Sequence, residues 1–339
     1  CTVCEEVGME GATGIDVSML KGKKLLNMDS EEEGVMLASC AGGCRADVKL
    51  PVERETVSGT KLTVSLSGLT GGHSGSEIDK GRGNANTLMS RLLRDASAPV
   101  AIASIEGGRK DNAIPRECTA QIIVAPDEAV AVKASIEQAA AEIAEEFKTS
   151  DPDLKLAVSE ETDCSESAIS AKDSARVIAL IEALPNGIIR MSREIDKLVE
   201  TSLNLGVLKS DDDAVTLRYA VRSSVGVAKK SLKNQLVCIA GAFAAEVTFE
   251  GDYPAWEYKK DSKLREDMVR IFEEMYGKKP TVEAIHAGVE CGLLSGKIEG
   301  LDCISMGPDM YDIHTTEERL SISSAKRSYE YILRVIACK

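Results

Sequence analysis

The spacing of hydrophobic and polar positions changes character twice along this 339-residue chain. Near the start, Met9, Ala12, Ile15, Val17 and Leu20 recur at helical intervals, and Gly22 follows as a stop signal, so a helix is predicted over 8–20. A short strand over 24–28 comes next, and Asp29 lies just past its end. From about Arg45 the pattern becomes alternation, clearest in KLTVSLS over 61–67, as in a half-buried antiparallel strand. A Gly-rich turn over 71–75 leads to a helix over 84–93, strands over 101–106 and 119–124, and a long amphipathic helix over 129–148. A second cycle follows, with helices over 174–183 and 228–244 and strands over 201–208 and 214–222. Two such cycles suggest an α+β unit built from two similar halves.

Past Tyr253-Pro254 helix and strand alternate again: a helix over 263–276, a strand over 281–285, a helix start over 288–294, a strand over 302–306, and a last helix to Cys338 capped by Ser323. The expected architecture is therefore an α/β domain split in two by an inserted α+β domain. Its boundaries are 1–43 for the first piece, 44–253 for the insert and 254–339 for the second piece. Carboxyl ends of strands in open α/β sheets collect chemistry, which places Glu5, Glu6 and Asp29 where a site is expected.

Composition narrows the function classes. Hydrophobic residues at 43% and charged residues at 28% fit a globular protein. No apolar run reaches the roughly 20 residues of a membrane span. A net charge of −14 argues against a phosphate backbone as partner, so neither membrane nor nucleic acid is expected. The ten cysteines lack framework spacing, and Cys1-x-x-Cys4 has no second CxxC to complete a zinc site. Reduced, buried thiols in a cytoplasmic setting are expected.

Glu5-Glu6 is either a solvated acidic turn or, at a strand end, a pair in which one carboxylate reaches a metal and the other faces substrate. The three histidines, His73, His286 and His314, all sit beside glycine or in turn-like contexts, as structural residues or as ligands. Imidazole and carboxylate together suit zinc.

The segments EEVGMEGA, LLNMDSEEEG, CAGG, GLTGGHSGSEIDKGRGNAN, NAIPRE, VETSLNLG, IHAGVECGLL and MGP followed by His314 resemble, in order, the aminoacyl-histidine dipeptidases of the M20 metallopeptidase family, also called cytosol non-specific or Xaa-His dipeptidases. The resemblance implies a dizinc hydrolase of unblocked dipeptides, Xaa-His among them, with a lid that carries dimer or substrate contacts. It implies Glu5 as the base that takes a proton from the metal-bridging water, Glu6 and His314 as ligands of one zinc, and Asp29 as a ligand of the other. His73 would stabilise the oxyanion, and Arg222 would hold the free carboxylate of the substrate. Asn84, Asn86 and Asn112 are further substrate-binding candidates, and His286 and Glu290 are read as lining the pocket.

The departures from the family pattern bear on activity. An H-x-D segment and a later bridging aspartate precede the Glu pair in family members, whereas no histidine precedes His73 here. The chain opens on Cys1 rather than Met, so the expectation is that an N-terminal part is missing and that the chain alone is inactive. The alternatives are another M20 amide hydrolase, such as a tripeptidase or N-acyl amino-acid deacylase, and a non-catalytic protein that binds peptides or dimerises.

Overall fold

The computed structural model describes residues 10–313 and 316–338. Two sheets carry the architecture. The smaller has four strands, in the order Lys24–Asn27, Asp302–Ser305, Val35–Cys40 and Thr281–Ile285. Its outer pairs are parallel, and Ser305 meets Leu37 in the antiparallel join between them. Period-two alternation divides its faces. Ile304 joins Met36, Met268, Phe272 and Tyr331 beneath the helices Lys263–Tyr276 and Ile322–Ala337, whereas Cys303 packs with Cys40, Trp256 and Cys291 on the other face.

Helix ends in this part are fixed by short polar side chains. Ser262 accepts from the Arg265 amide, and the Asp302 carboxylate takes both the Ser262 hydroxyl at 2.6 Å and the Leu264 amide at 3.0 Å. Ser321, not Ser323, caps the last helix: Ser321 is still extended and accepts from Ser324 N, while Ser323 already belongs to the first turn. The first helix ends earlier than its periodicity predicts. Its described part is Glu10–Gly14, and beyond it the Asp16 carboxylate captures the Ser18 amide and turns the chain.

The larger sheet is antiparallel and nine-stranded. Its main path runs Glu246–Tyr253, Gly42–Pro51, Ala214–Ser223, Val199–Ser210, Ala101–Gly107, Cys118–Val124, Arg54–Ser67 and Lys155–Ile169, with Gly187–Met191 paired to Val199–Ser210 beside it. Four helices, Ala85–Arg94, Ala129–Phe147, Ala171–Ala183 and Gly226–Ala242, share one apolar core with one face of it. The expected two halves are present. Each is built as β-α-β-β-α-β, the second taking its first strand, Gly42–Pro51, from before the first half and carrying Gly187–Met191 as an extra strand, and in each the four strands lie side by side in the order second, third, first, fourth. The halves join where their second strands meet, Leu208 opposite Gly107 and Lys209 opposite Glu106.

Candidate functional site

Asp29 follows the edge strand of the four-stranded sheet and is exposed. The loop behind it is anchored by a buried contact of 2.8 Å between the Ser30 and Ser305 hydroxyls and by the Glu33 carboxylate on Arg327. Gly307 is required here, since a Cβ on it would sit 1.6 Å from the Ser30 carbonyl oxygen. Beside Asp29 stands Glu290, 8% exposed at the start of the helix Glu290–Lys297, its carboxylate accepting from Asn27 Nδ2 at 3.1 Å. Burial pushes the Glu290 carboxyl up from the usual range, and the negative charge of Asp29 adds to this. Asp29 borders two cavities, one of about 690 Å³ shared with Glu290 and Leu294 and one of about 740 Å³ shared with Glu283, Gly288 and Val289.

Glu5, Glu6 and His314 lie outside the described residues, so Asp29 alone of the expected base and ligands is placed. Among the described residues no three His, Cys, Asp or Glu side chains converge on one point that a metal could occupy. The described residues do not form a metal site by themselves.

A second polar cluster lies on the helix-free face of the large sheet. Leu203 and Val221 enter the helical core, so Ser202 and Arg222, one step along each strand and paired with each other, face the opposite way. Gly43 stands on the other side of Arg222, and a Cβ there would meet Tyr253 Oη at 2.6 Å. That space lets the tyrosine hydroxyl reach Arg222 Nη1 at 3.3 Å. Arg222, Tyr253, Asn112, Asp111 and Arg45 line a cleft of about 250 Å³.

His73 reaches this cluster from a two-residue strand pair, Gly72–His73 against Ala113–Ile114. Its Nδ1 accepts from the amides of Ser76 at 3.1 Å and Gly75 at 3.3 Å. An amide can only donate, so the ring proton is on Nε2, which is left as the outward donor. Burial lowers the His73 pKa, the Arg222 charge lowers it further, and Glu77 partly opposes them. Glu77 accepts from the His73 amide at 2.8 Å and is itself paired with Arg82.

His286 lies just past the strand Thr281–Ile285 and joins the two regions. It is 6% exposed, its Nε2 contacts Ser202 Oγ at 2.7 Å, and its carbonyl would be 2.6 Å from a Cβ on Gly75. Burial lowers its pKa to about 3, with Arg222 and His73 adding to the shift and the Val199 carbonyl opposing it weakly. Four residues on, Glu290 flanks Asp29, so one short segment touches both the lid cluster and the carboxylates.

Two of the expected substrate contacts are committed to the scaffold instead. Asn84 caps the helix Ala85–Arg94 through the amides of Asn86 and Thr87 and donates to Asn204 and Leu205. Asn86 is fully buried and donates to Leu205 O at 3.2 Å. Asn112 holds the His73 turn by its backbone carbonyl, which accepts from Ser74 N at 2.9 Å, while its side chain stays exposed at the cleft. Sequence reasoning did not single out Ser202, Asn204 or Tyr253. Asn204 donates to the carbonyls of Asp111 and Ala113, so it fixes the strand on which His73 is paired. Ser202 and Asn204 were detectable as polar positions within the VETSLNLG strand, alternating with apolar ones.

Comparison with known proteins follows the same outline. Residues 64–151 match the peptidase dimerisation domain family. The cytosol non-specific dipeptidase of Escherichia coli (strain K12) is 34% identical over 327 residues, covering 95% of this chain and 67% of the relative. The crystal structure of aminoacylhistidine dipeptidase from Vibrio alginolyticus superposes with a TM-score of 0.91 at 32% identity, covering 98% of this chain and 69% of that one. Identity at this level over 95% of this chain and about two thirds of the relatives' length, with the same backbone, makes the chain a member of the M20 peptidases, in the family of the cytosol non-specific (aminoacyl-histidine) dipeptidases.

Proposed function

We propose that the complete protein hydrolyses unblocked dipeptides, Xaa-His among them, in the cytoplasm. The observation that carries this reading is Arg222: a guanidinium facing a cleft, with no carboxylate partner among the described residues and the outward Nε2–H donor of His73 nearby. A dipeptide supplies what this arrangement lacks. Its free carboxylate matches Arg222, and its scissile carbonyl, one residue away, develops negative charge that an imidazole N–H can take.

Asp29, with Glu6 and His314, would hold zinc, which when bound supplies Lewis acidity and an acidified water. Glu5 would take the proton from that water. His73 remains neutral at working pH, because burial and Arg222 both oppose its protonation, and so donates without changing charge. Eight free cysteines among the described residues support a reducing compartment. No described helix is long and apolar enough to cross a membrane. The match over 64–151 supports a homodimer through the lid, which light scattering would reveal as twice the chain mass.

The test is hydrolysis by the protein with its full natural chain. Unblocked dipeptides should be cleaved, activity should vanish on chelation and return with zinc, and N-acetylated amino acids should not be cleaved. Preferential cleavage of N-acyl amino acids would instead make the protein a deacylase.

A further inference from the structure

Three buried polar groups without partners among the described residues lie around His73. Ser74 Oγ, Arg222 Nε and His286 Nδ1 have no hydrogen bond of ordinary geometry there, the Val199 carbonyl touching the His286 ring only weakly, and Ser74 and His286 are 1% and 6% exposed. They belong to one neighbourhood although they come from three segments. Ser74 follows His73, Gly75 rests on the His286 carbonyl, and the Ser202 hydroxyl that meets His286 stands opposite Arg222 across the strand pair. Buried polar groups in native proteins are almost always paired, so a local concentration of unpaired ones points to a ligand.

The sign of that ligand follows from the protons. His286 Nε2 is the sole partner of the buried Ser202 hydroxyl among the described residues. The hydroxyl proton is satisfied when Ser202 donates to Nε2, which leaves the ring proton on Nδ1. Arg222 Nε–H and the Ser74 O–H are likewise unused donors. One cation and two neutral donors, with no acidic side chain paired to the cation among the described residues, make a site for an anion.

We propose that Ser74 and His286 join Arg222 in holding the substrate's free α-carboxylate, so that three donors from the lid turn, the lid strand and the catalytic strand end read one group. The identity of the anion rests on the dipeptidase reading; the existence of the site does not.

The experiment is calorimetric titration of the full natural chain with L-histidine and with L-histidinamide, which differ in the carboxylate alone. The acid should bind about tenfold or more tightly than the amide. Ser74→Ala should weaken the acid about tenfold and leave the amide unchanged. The His286 pair separates recognition from support. His286→Asn keeps a donor near the Nδ1 position and should retain acid binding, whereas His286→Gln keeps one near Nε2, facing Ser202, and should lose it. A merely structural histidine gives the reverse order, which overturns the proposal, as does equal binding of acid and amide. If circular dichroism shows both His286 variants unfolded, Ser74→Ala decides alone, and unchanged acid affinity overturns the proposal. Carboxylate binding that follows these rules in a protein that cleaves no dipeptide would remove the dipeptidase reading and leave this site standing. Dipeptide cleavage with unaltered carboxylate binding in Ser74→Ala and His286→Gln would do the opposite.

Discussion

His73 and His286 lie near one another and leave opposite ring nitrogens free of side-chain and amide partners among the described residues, and the difference is set by what touches each ring. Backbone amides at Nδ1 leave His73 a free Nε2 donor, so His73→Ala should lower kcat by about 100-fold or more with a smaller change in KM. His286 is held by Ser202, and its pKa of about 3 lies far below the ordinary 6.5. In that window the unfolded chain binds the proton and the folded one does not, so His286 costs no stability above about pH 6.5 and destabilises as pH falls below it. Urea denaturation should show a loss of about 2 kcal/mol from this residue between about pH 7.5 and about pH 5, absent in His286→Asn. These roles were only partly legible in the sequence. Glycine-rich contexts marked both histidines as unusual, but the tautomer of His73 depends on two turn amides, and the burial of His286 depends on a strand more than 80 residues away. Asn84 and Asn86 drew attention for their motif, and the structure ties both to the scaffold: Asn84 caps the helix, and both donate to Leu205 O of the neighbouring strand.

At the scale of elements, period and burial explain both what was read and what was not. The helix Lys263–Tyr276 and the strand Thr281–Ile285 were predicted with the boundaries they have, because a Ser cap, a Gly stop and clear periodicity agree. The 15-residue strand Lys155–Ile169 was not predicted: it is an edge strand, largely exposed, and its polar EETDCSES centre carries no apolar alternation. The strand Arg54–Ser67 beside it carries the signal in Leu62, Val64 and Leu66, all buried under the helices. Leu62→Ala should cost about 2–5 kcal/mol in denaturant unfolding, since the side chain is fully buried. The turn that bears His73 is constrained differently. Gly75→Ala places a methyl 2.6 Å from the His286 carbonyl and should reduce turnover about tenfold or more while far-UV circular dichroism stays unchanged.

In the whole molecule the Arg222 and His73 cluster of the large sheet lies beside the segment that leads to Asp29 and Glu290 at the smaller one. The duplicated β-α-β-β-α-β units make one continuous sheet by joining at their second strands, a long-range pairing that no local sequence pattern encodes. The segment from His286 to Glu290 then ties that sheet to the Asp29 end of the smaller one. If Arg222 reads a free carboxylate during turnover, the preference for that group is directly measurable. The measurement is kcat/KM of the full natural chain for an unblocked Xaa-His dipeptide and for its C-terminal amide, each with wild type and Arg222→Met. The wild type should prefer the free acid by about 100-fold, and Arg222→Met should remove most of that preference by slowing the acid alone. Equal cleavage of acid and amide by the wild type, or a preference that survives in Arg222→Met, would contradict that role.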